Sequence, residues 1–213
     1  MAAPRGRFFV LEGLDGSGTT TQAQLLSDHF GSEGLAATLT HEPTDHPIGK
    51  LVRDGLSGNL VKSGSLGKIT LSESSLCLLF AADRVEHAVE IEHDRAQKTH
   101  VICDRYVLSS IAYQSLEPTI EPERVIEVNR GIAVPDVTFL LDVTVDACLE
   151  RLEKRADSPT VYEKKDILEK IAANYESTLP LYQKRFGPVI RIDGSKPVDD
   201  VHTEIVGHLS IYL

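Results

Sequence analysis

The sequence is poor in cations and in long apolar runs. Its 213 residues include no Trp, one Met and three Cys, and 22 Lys and Arg stand against 32 Asp and Glu, a formal net charge of −10. Because nucleic-acid binding depends mainly on Lys and Arg that neutralise phosphates, this balance argues against a general nucleic-acid partner. The apolar run after the N-terminus is too short for a signal-peptide core or a membrane span, so no membrane partner is expected.

The three cysteines are Cys77, Cys103 and Cys148, and each lies in an apolar stretch. Their odd number argues against a disulfide framework, and their surroundings predict small buried hydrophobic side chains. Free cysteines are typical of a reducing compartment, so a cytoplasmic protein is expected.

Short apolar runs alternate with segments of helical spacing. The runs have the length of strands and comprise residues 8–11, 37–39, 101–103, 137–141 and 189–192. Apolar residues recur at helical spacing in 22–30 and 72–96. This alternation favours a parallel, layered α/β sheet, although some of the short runs also fit buried helix pieces. With no repeat and no long linker, residues 1–213 are predicted to form one domain, with loops at 57–67 and 154–165.

A glycine-rich loop joins the first predicted strand to the first helix. Against the pattern G-x-x-x-x-G-K-[ST], Gly13, Gly18 and Thr20 match, whereas Thr19 stands where the lysine belongs. Consecutive amides of such a loop converge on phosphate oxygens, and a hydroxyl at Thr20 suits Mg²⁺. The predicted ATP-binding residues are Gly13, Leu14, Asp15, Gly16, Ser17, Gly18, Thr19, Thr20 and Thr21.

Three interpretations of Thr19 remain open. In the first, the chain is an active enzyme that uses another cation in place of the lysine. In the second, it is a weak or inactive relative of such enzymes. In the third, the glycine-rich turn has arisen by chance and binds no phosphate. The strand before and the helix after the loop disfavour the accident. Loss of one preorganised cation without replacement should lower the rate by about 10²–10³. A second cation that takes its place would restore this rate, which favours the first interpretation.

The glycine-rich loop and three further segments form a pattern that runs from Phe8 to about Leu209. They are the loop EGLDGSG, the stretch Glu42-Pro43 with IGKLVR at 48–53, the segment LLFAADR at 78–84, and Asp104-Arg105-Tyr106 followed by Ser109, Ser110, Tyr113 and Gln114. In this order and spacing the chain resembles thymidylate kinases. The resemblance implies a three-layer P-loop kinase fold with a five-stranded parallel sheet flanked by helices and a short mobile lid at about 151–166. It also implies a homodimer that uses ATP and Mg²⁺ to convert dTMP to dTDP.

The resemblance also implies roles for individual residues. Arg105 would reach the phosphates, with Asp104 and Thr20 near the metal. Asp15 would accept the 3′-hydroxyl of the sugar. The other implied substrate contacts are Arg53 at the monophosphate, Phe80 stacked on thymine, Arg84 at its carbonyl edge, Tyr113 at the sugar 2′ position, and Pro43, Tyr106, Ser110 and Gln114. Taken alone, Asp104 and Arg105 also fit a surface ion pair, Phe80 a core position and Asp15 a turn.

Several positions of this sequence depart from the family pattern by losing positive charge. Gly16 stands where some members carry Arg, His41 replaces the Arg before Glu-Pro, and Val161 replaces a lid Arg. Phosphoryl transfer depends on charge placed around the migrating group. We therefore expect Arg155, assisted by Arg151 and Arg105, to do the catalytic work of the missing lysine.

Two other functions stay open on the sequence alone. The first is a kinase for another deoxynucleotide or for a deoxynucleoside. The second is a nucleotide-binding relative with weak or no catalysis because of Thr19. The apolar stripe of 72–96 fits either a two-fold interface or a face packed on the sheet.

Overall fold

The predicted strands form one sheet in a computed structural model, which describes residues 5–60, 71–154 and 165–213. The strands are β1 (Phe8–Gly13), β2 (Ala37–His41), β3 (His100–Asp104), β4 (Val137–Asp142) and β5 (Val189–Asp193). All four pairings are parallel, in the order β2-β3-β1-β4-β5. Each strand contains one of the five apolar runs, so the strand prediction is confirmed for every run.

Helices connect the strands. They are α1 (Thr19–Ser32), α2 (Pro47–Leu56), α3 (Glu73–Ala96), α4 (Val107–Gln114), α5 (Pro122–Val128), α6 (Val145–Glu153), α7 (Lys165–Phe186) and α8 (Val198–Leu209). The helices predicted at 22–30 and 72–96 lie within α1 and α3. Ser72 is the N-cap of α3, where its hydroxyl accepts a hydrogen bond of 3.2 Å from the Ser75 amide.

The two faces of the sheet are both covered, as the alternation of β1 illustrates. Phe8 and Val10 enter a core with residues of α3, α4 and α7. Phe9 and Leu11 enter a second core with α1 and α8. Successive side chains of a strand point to opposite faces, so β1 is buried on both sides and the molecule has three layers. The predicted three-layer α/β architecture is confirmed.

The carboxyl ends of the central strands meet at one edge of the sheet. Leu11 pairs with Asp104 of β3, and Gly13 pairs with Leu141 of β4. The chain after β1 therefore emerges between the ends of β3 and β4, where the strand order reverses. Open α/β sheets bind ligands in the crevice at such a point.

Two predicted loops fall largely outside the described residues. The stretch 57–67 follows α2, and only its first four positions are described. Of the predicted lid at 151–166, the structure describes 151–154 at the end of α6 and 165–166 at the start of α7. Arg155 and Val161 lie in the part that is not described. Among the described helices, none has the length and apolar character that crossing a bilayer requires. All three cysteines are free and buried, as predicted.

Candidate active site

The glycine loop begins at the end of β1 and ends at the first turn of α1. Gly18 is the N-cap of α1 with φ of 102°, a left-handed conformation that favours glycine. Gly16 also has positive φ, and a Cβ there would lie 2.6 Å from the Cys148 carbonyl oxygen of α6. This close approach leaves no room for a side chain at Gly16 in the present conformation of the loop. The loop amides and the helix N-terminus form a ready site for phosphate.

The first turn of α1 and the end of β3 supply the candidate metal ligands. The Thr20 hydroxyl donates to Asp104 Oδ2 at 2.5 Å. Asp104 Oδ1 is buried and has no hydrogen-bond partner among the described residues. A carboxylate oxygen and a hydroxyl oxygen are ligands that Mg²⁺ accepts, and the orphaned oxygen fits that use. Thr19 is only 4% exposed and brings no charge to this place.

Arg105 lies across the base of the glycine loop. Its guanidinium donates to the Gly13 carbonyl at 2.9 Å and to Asp15 at 2.7 Å. Although partial burial opposes the charge, the Asp15 carboxylate helps to keep the pKa of Arg105 well above its ordinary value, so the side chain is a fixed cation. Its backbone has φ of 67°, an uncommon value for a residue with a side chain. The structure thus pairs Arg105 with Asp15 at the glycine loop, a contact that the sequence did not predict.

Arg84 is almost fully buried between α3 and its neighbours, at 1% exposure. It donates to Glu42 at 2.7 Å, to Asn129 at 2.6 Å and to Ser110 at 2.9 Å. His87, one turn further along α3, contacts the other Glu42 oxygen at 3.0 Å. Although burial opposes the charge, Glu42 raises the pKa of Arg84 above its ordinary value. The guanidinium is therefore held rigidly, with a carboxylate behind it.

The other residues predicted near the base differ in how deeply they are buried around Arg84. Phe80 is half-buried one turn before it on α3, and Gln114 is buried with an Oε1 that has no partner among the described residues. Tyr106 is fully buried, donates to the Ala133 carbonyl and lies with its ring centroid 5.2 Å from the Arg84 guanidinium carbon. This placement makes Tyr106 a support for Arg84 rather than a surface that meets substrate.

Tyr113 lies on α4 beside Arg105. Its hydroxyl is 3.4 Å from a guanidinium nitrogen of Arg105, and its ring lies near that of Tyr175. Burial raises the pKa of Tyr113 far above neutrality, so the hydroxyl stays protonated. The position is compatible with a wall beside the sugar.

Arg53 of α2 faces the opposite side of the crevice. It donates to the Pro43 carbonyl at 2.7 Å and to the exposed carboxylate of Asp45 at 2.9 Å. His41, at the end of β2, lies 3.7 Å from the same carboxylate. The predicted contacts Pro43 and Arg53 are thus brought together, with Asp45 occupying one side of the guanidinium.

Arg151 leaves α6 toward the back of the glycine loop. It donates to the carbonyls of Ser17 at 3.0 Å and Gly194 at 2.9 Å. These residues border a cleft of about 250 Å³ that also includes Gly16, Gly18 and Lys196. In this conformation Arg151 braces the loop against the segment after β5, and a role at the phosphates requires exchange of these carbonyl contacts. Arg155 lies outside the described residues.

Sequence reasoning missed several residues that hold the site together. Glu12, Asn129 and Tyr175 are buried and make hydrogen bonds to site residues. Only Glu12 gave a signal, as a carboxylate at the end of an apolar strand directly before the loop. Tyr175 lies 163 residues away from Glu12, and local patterns carry no information about such a partner.

The fold and the site together define a class. The central strand of the parallel sheet leads into a glycine loop. A hydroxyl and a carboxylate lie beside this loop, and a fixed guanidinium lies across it. This arrangement is typical of the phosphate-binding centre of a P-loop phosphotransferase.

The family profile described as thymidylate kinase matches residues 11–205. The chain is 40% identical over 205 residues to a probable thymidylate kinase of Methanococcus aeolicus, covering 95% of both chains. It is 35% identical over 203 residues to that of Pyrococcus abyssi, again covering 95% of both. The solved thymidylate kinase of Candida albicans superposes with a TM-score of 0.74 at 26% identity, covering 98% of this chain and 92% of that one. The chain belongs to the thymidylate kinase family, whose reaction is the phosphorylation of dTMP.

Proposed function

We propose that this chain transfers the γ-phosphoryl group of ATP to dTMP, within one domain that carries both subsites. The observation that carries the proposal is Arg105, fixed between the Gly13 carbonyl and Asp15. This cation faces the loop expected to bind the donor phosphates and lies between the end of β3 and the start of α4, the helix expected to border the acceptor. Family membership supports the choice of dTMP.

The donor is expected on the glycine loop. The amides of residues 13–21 would bind the phosphates, and the cleft beside Arg151 and Gly194 suits the adenine. Thr20 and Asp104 would hold Mg²⁺, which when bound neutralises phosphate charge. The orphaned Asp104 oxygen supports this assignment.

The acceptor is expected between α2, α3 and α4. Arg53 would bind the monophosphate after it exchanges Asp45 for the phosphate oxygens. Phe80 and Arg84 would bind thymine by its face and its edge, with Ser110, Gln114 and Pro43 around the base. Asp15 and Tyr113 would border the sugar.

The reaction needs no protein nucleophile or general base. The acceptor phosphate of dTMP is already ionised at neutral pH, so alignment and charge neutralisation carry the rate. Arg105 supplies one fixed cation, and Arg155, assisted by Arg151, is proposed to supply the charge that Thr19 does not.

An exposed apolar face of α3 supports a homodimer. Leu78, Val85 and Val89 are 51%, 47% and 67% exposed, and Val134 beside them is 42% exposed. The three α3 residues recur on one side of the helix, and Val85, Val89 and Val134 border a groove with Arg5 and Glu92. A contiguous apolar face of this kind is typical of a contact between subunits, and we propose a second copy of the chain as its partner.

The free buried cysteines support a cytoplasmic location.

The test is ADP formation with Mg-ATP and a panel of thymidine, dTMP, dUMP, CMP and AMP. Turnover with dTMP above the other acceptors supports the proposal, whereas turnover with thymidine alone, or nucleotide binding without turnover, contradicts it. Arg53→Met should raise the KM for dTMP at least tenfold, because one charge-assisted phosphate contact is worth about 1.5–3 kcal/mol. Arg130→Met is the matched control, since Arg130 is exposed and pairs only with Glu127 among the described residues.

A further inference from the structure

Glu12 is a fully buried carboxylate that neither substrate nor metal is expected to touch. It is the penultimate residue of β1, yet the hydrogen-bond partners of its side chain all come from the start of α4 and from α7. Oε1 accepts from the amides of Tyr106 at 2.9 Å and Ser109 at 3.1 Å. Oε2 accepts from the hydroxyls of Ser109 and Tyr175. A buried charge is costly unless it is fully hydrogen-bonded, and here four donors surround it.

The two amides place Glu12 next to the strained backbone of Arg105. The left-handed φ of 67° at Arg105 is strained for a residue with a side chain. The peptide bonds on both sides are fixed by β1, because the Arg105 amide donates to the Leu11 carbonyl at 2.9 Å and the Tyr106 amide donates to Glu12. Such strain persists only where the surroundings enforce it.

The two hydroxyls connect Glu12 to the guanidinium itself. Arg105 donates to Ser109 Oγ at 3.1 Å, and Ser109 in turn donates to Glu12. Tyr175 Oη lies 3.1 Å from the Gly13 carbonyl, which is also an Arg105 contact. An ionised Glu12 leaves the Ser109 oxygen free to accept from Arg105. A protonated Glu12 must instead donate its own proton to Ser109 or Tyr175, and where it donates to Ser109 the hydrogen bond between these two residues reverses its direction.

We propose that Glu12 is a positioning residue of the transfer site: its carboxylate holds the start of α4 on the glycine loop and thereby fixes Arg105 where the migrating phosphoryl group requires it. The inference rests on the proposed function, because it assigns Arg105 to that group. Misplacement of a catalytic group by about 1 Å costs on the order of 10² in rate, so the effect falls on kcat. Binding of dTMP uses other residues and should change little.

The ionisation of Glu12 gives a second readout. Burial raises the pKa of Glu12 from 4.5 to about 7, while hydrogen bonds from Ser109 and the charge of Arg105 limit the rise. The groups that face it are Arg105, Arg84 on α3, Cys103 on β3, and Tyr175 and Tyr182 on α7. Burial raises the pKa of the cysteine and both tyrosines, and both arginines stay charged, so these neighbours do not titrate near pH 7.

The experiment compares wild type, Glu12→Gln and a matched control in steady-state kinetics from pH 5.5 to 8.5. Thr138→Val is the control, because Thr138 is buried and its hydroxyl bonds to Tyr182. We expect Glu12→Gln to lower kcat about 10- to 100-fold with the KM for dTMP within threefold. The ratio of the wild-type kcat to the Glu12→Gln kcat should rise through about pH 7. Ionisation of the dTMP phosphate is common to both proteins and cancels in the comparison.

The outcomes are separable. A wild type without dTMP turnover overturns the proposed function and this inference with it. An active wild type with unchanged kcat in Glu12→Gln, or with the same inflection in both proteins, overturns this inference alone. A kcat loss of equal size in Thr138→Val also overturns it, since the effect would then follow from general destabilisation. If Glu12→Gln does not fold, Tyr175→Phe removes one donor and should lower kcat at least threefold at unchanged KM, and an unchanged kcat overturns the proposal.

Discussion

Replacement of Arg84 by Met separates the structural role of this residue from its proposed role in binding the base. The guanidinium is 1% exposed and bonded to Glu42, Asn129 and Ser110. Met fills similar space without charge, so the Glu42 carboxylate is left buried without its cation. Removal of one partner of a buried pair costs about 3–5 kcal/mol. For a chain of this size each kcal/mol shifts Tm by about 2–4 °C, so Arg84→Met should lower Tm by roughly 10 °C.

A double mutant tests the reasoning. Glu42→Gln in the Arg84→Met background removes the uncompensated charge, and loss of both charges is close to neutral in comparable buried pairs. Thermal unfolding should therefore recover most of the lost Tm, whereas dTMP turnover should stay low because the base has lost its contact. Arg130→Met, an exposed site, should change stability by less than about 0.5 kcal/mol. A cost below about 1 kcal/mol for Arg84→Met, or dTMP turnover restored in the double mutant, would refute the reasoning.

Four further changes test the charges around the site. Thr19→Lys should raise kcat less than about tenfold if another cation already acts, whereas a gain of about 10²–10³ would mean that none does. Arg155→Ala should lower kcat far more than it weakens dTMP binding by calorimetry, and unchanged turnover contradicts its role. Arg151→Ala removes the brace between Ser17 and Gly194, so the KM for ATP should rise while that for dTMP stays constant. Because the pKa of Glu12 is about 7 in the folded chain and 4.5 ordinarily, its stabilisation is present below pH 4.5 and lost as pH rises through 7. Chemical unfolding of wild type against Glu12→Gln should show about 3 kcal/mol of relative loss over that window, and a constant difference contradicts it.

Local patterns predicted the elements of the fold. Five apolar runs became the five strands, and helical spacing at 22–30 and 72–96 lies within α1 and α3. These signals succeed because side-chain periodicity and the order of strand, glycine loop and helix are properties of neighbouring residues. The pairing of Arg105 with Asp15 was not predicted, although both residues follow adjacent parallel strands.

The hydrogen-bond partners of the site residues could not be predicted from the sequence. From the sequence, Tyr106 is expected at the substrate, yet the structure buries it beneath Arg84, because the residue after Arg105 turns inward at the start of α4. Arg151 is expected over the phosphates, yet its described contacts are carbonyls of the glycine loop and of Gly194. Side-chain direction at the end of an element depends on backbone geometry that no spacing encodes.

The sequence by itself determined a parallel α/β sheet, a glycine loop without its lysine and an acidic chain with few cations. The tertiary structure decided which of those cations are fixed and by what. Arg84 is held by Glu42, and Arg105 by Asp15 and by the Glu12 network that includes Tyr175. These contacts join residues 42 to 163 positions apart, and only the packing of α3, α4 and α7 on the sheet brings them within hydrogen-bond distance.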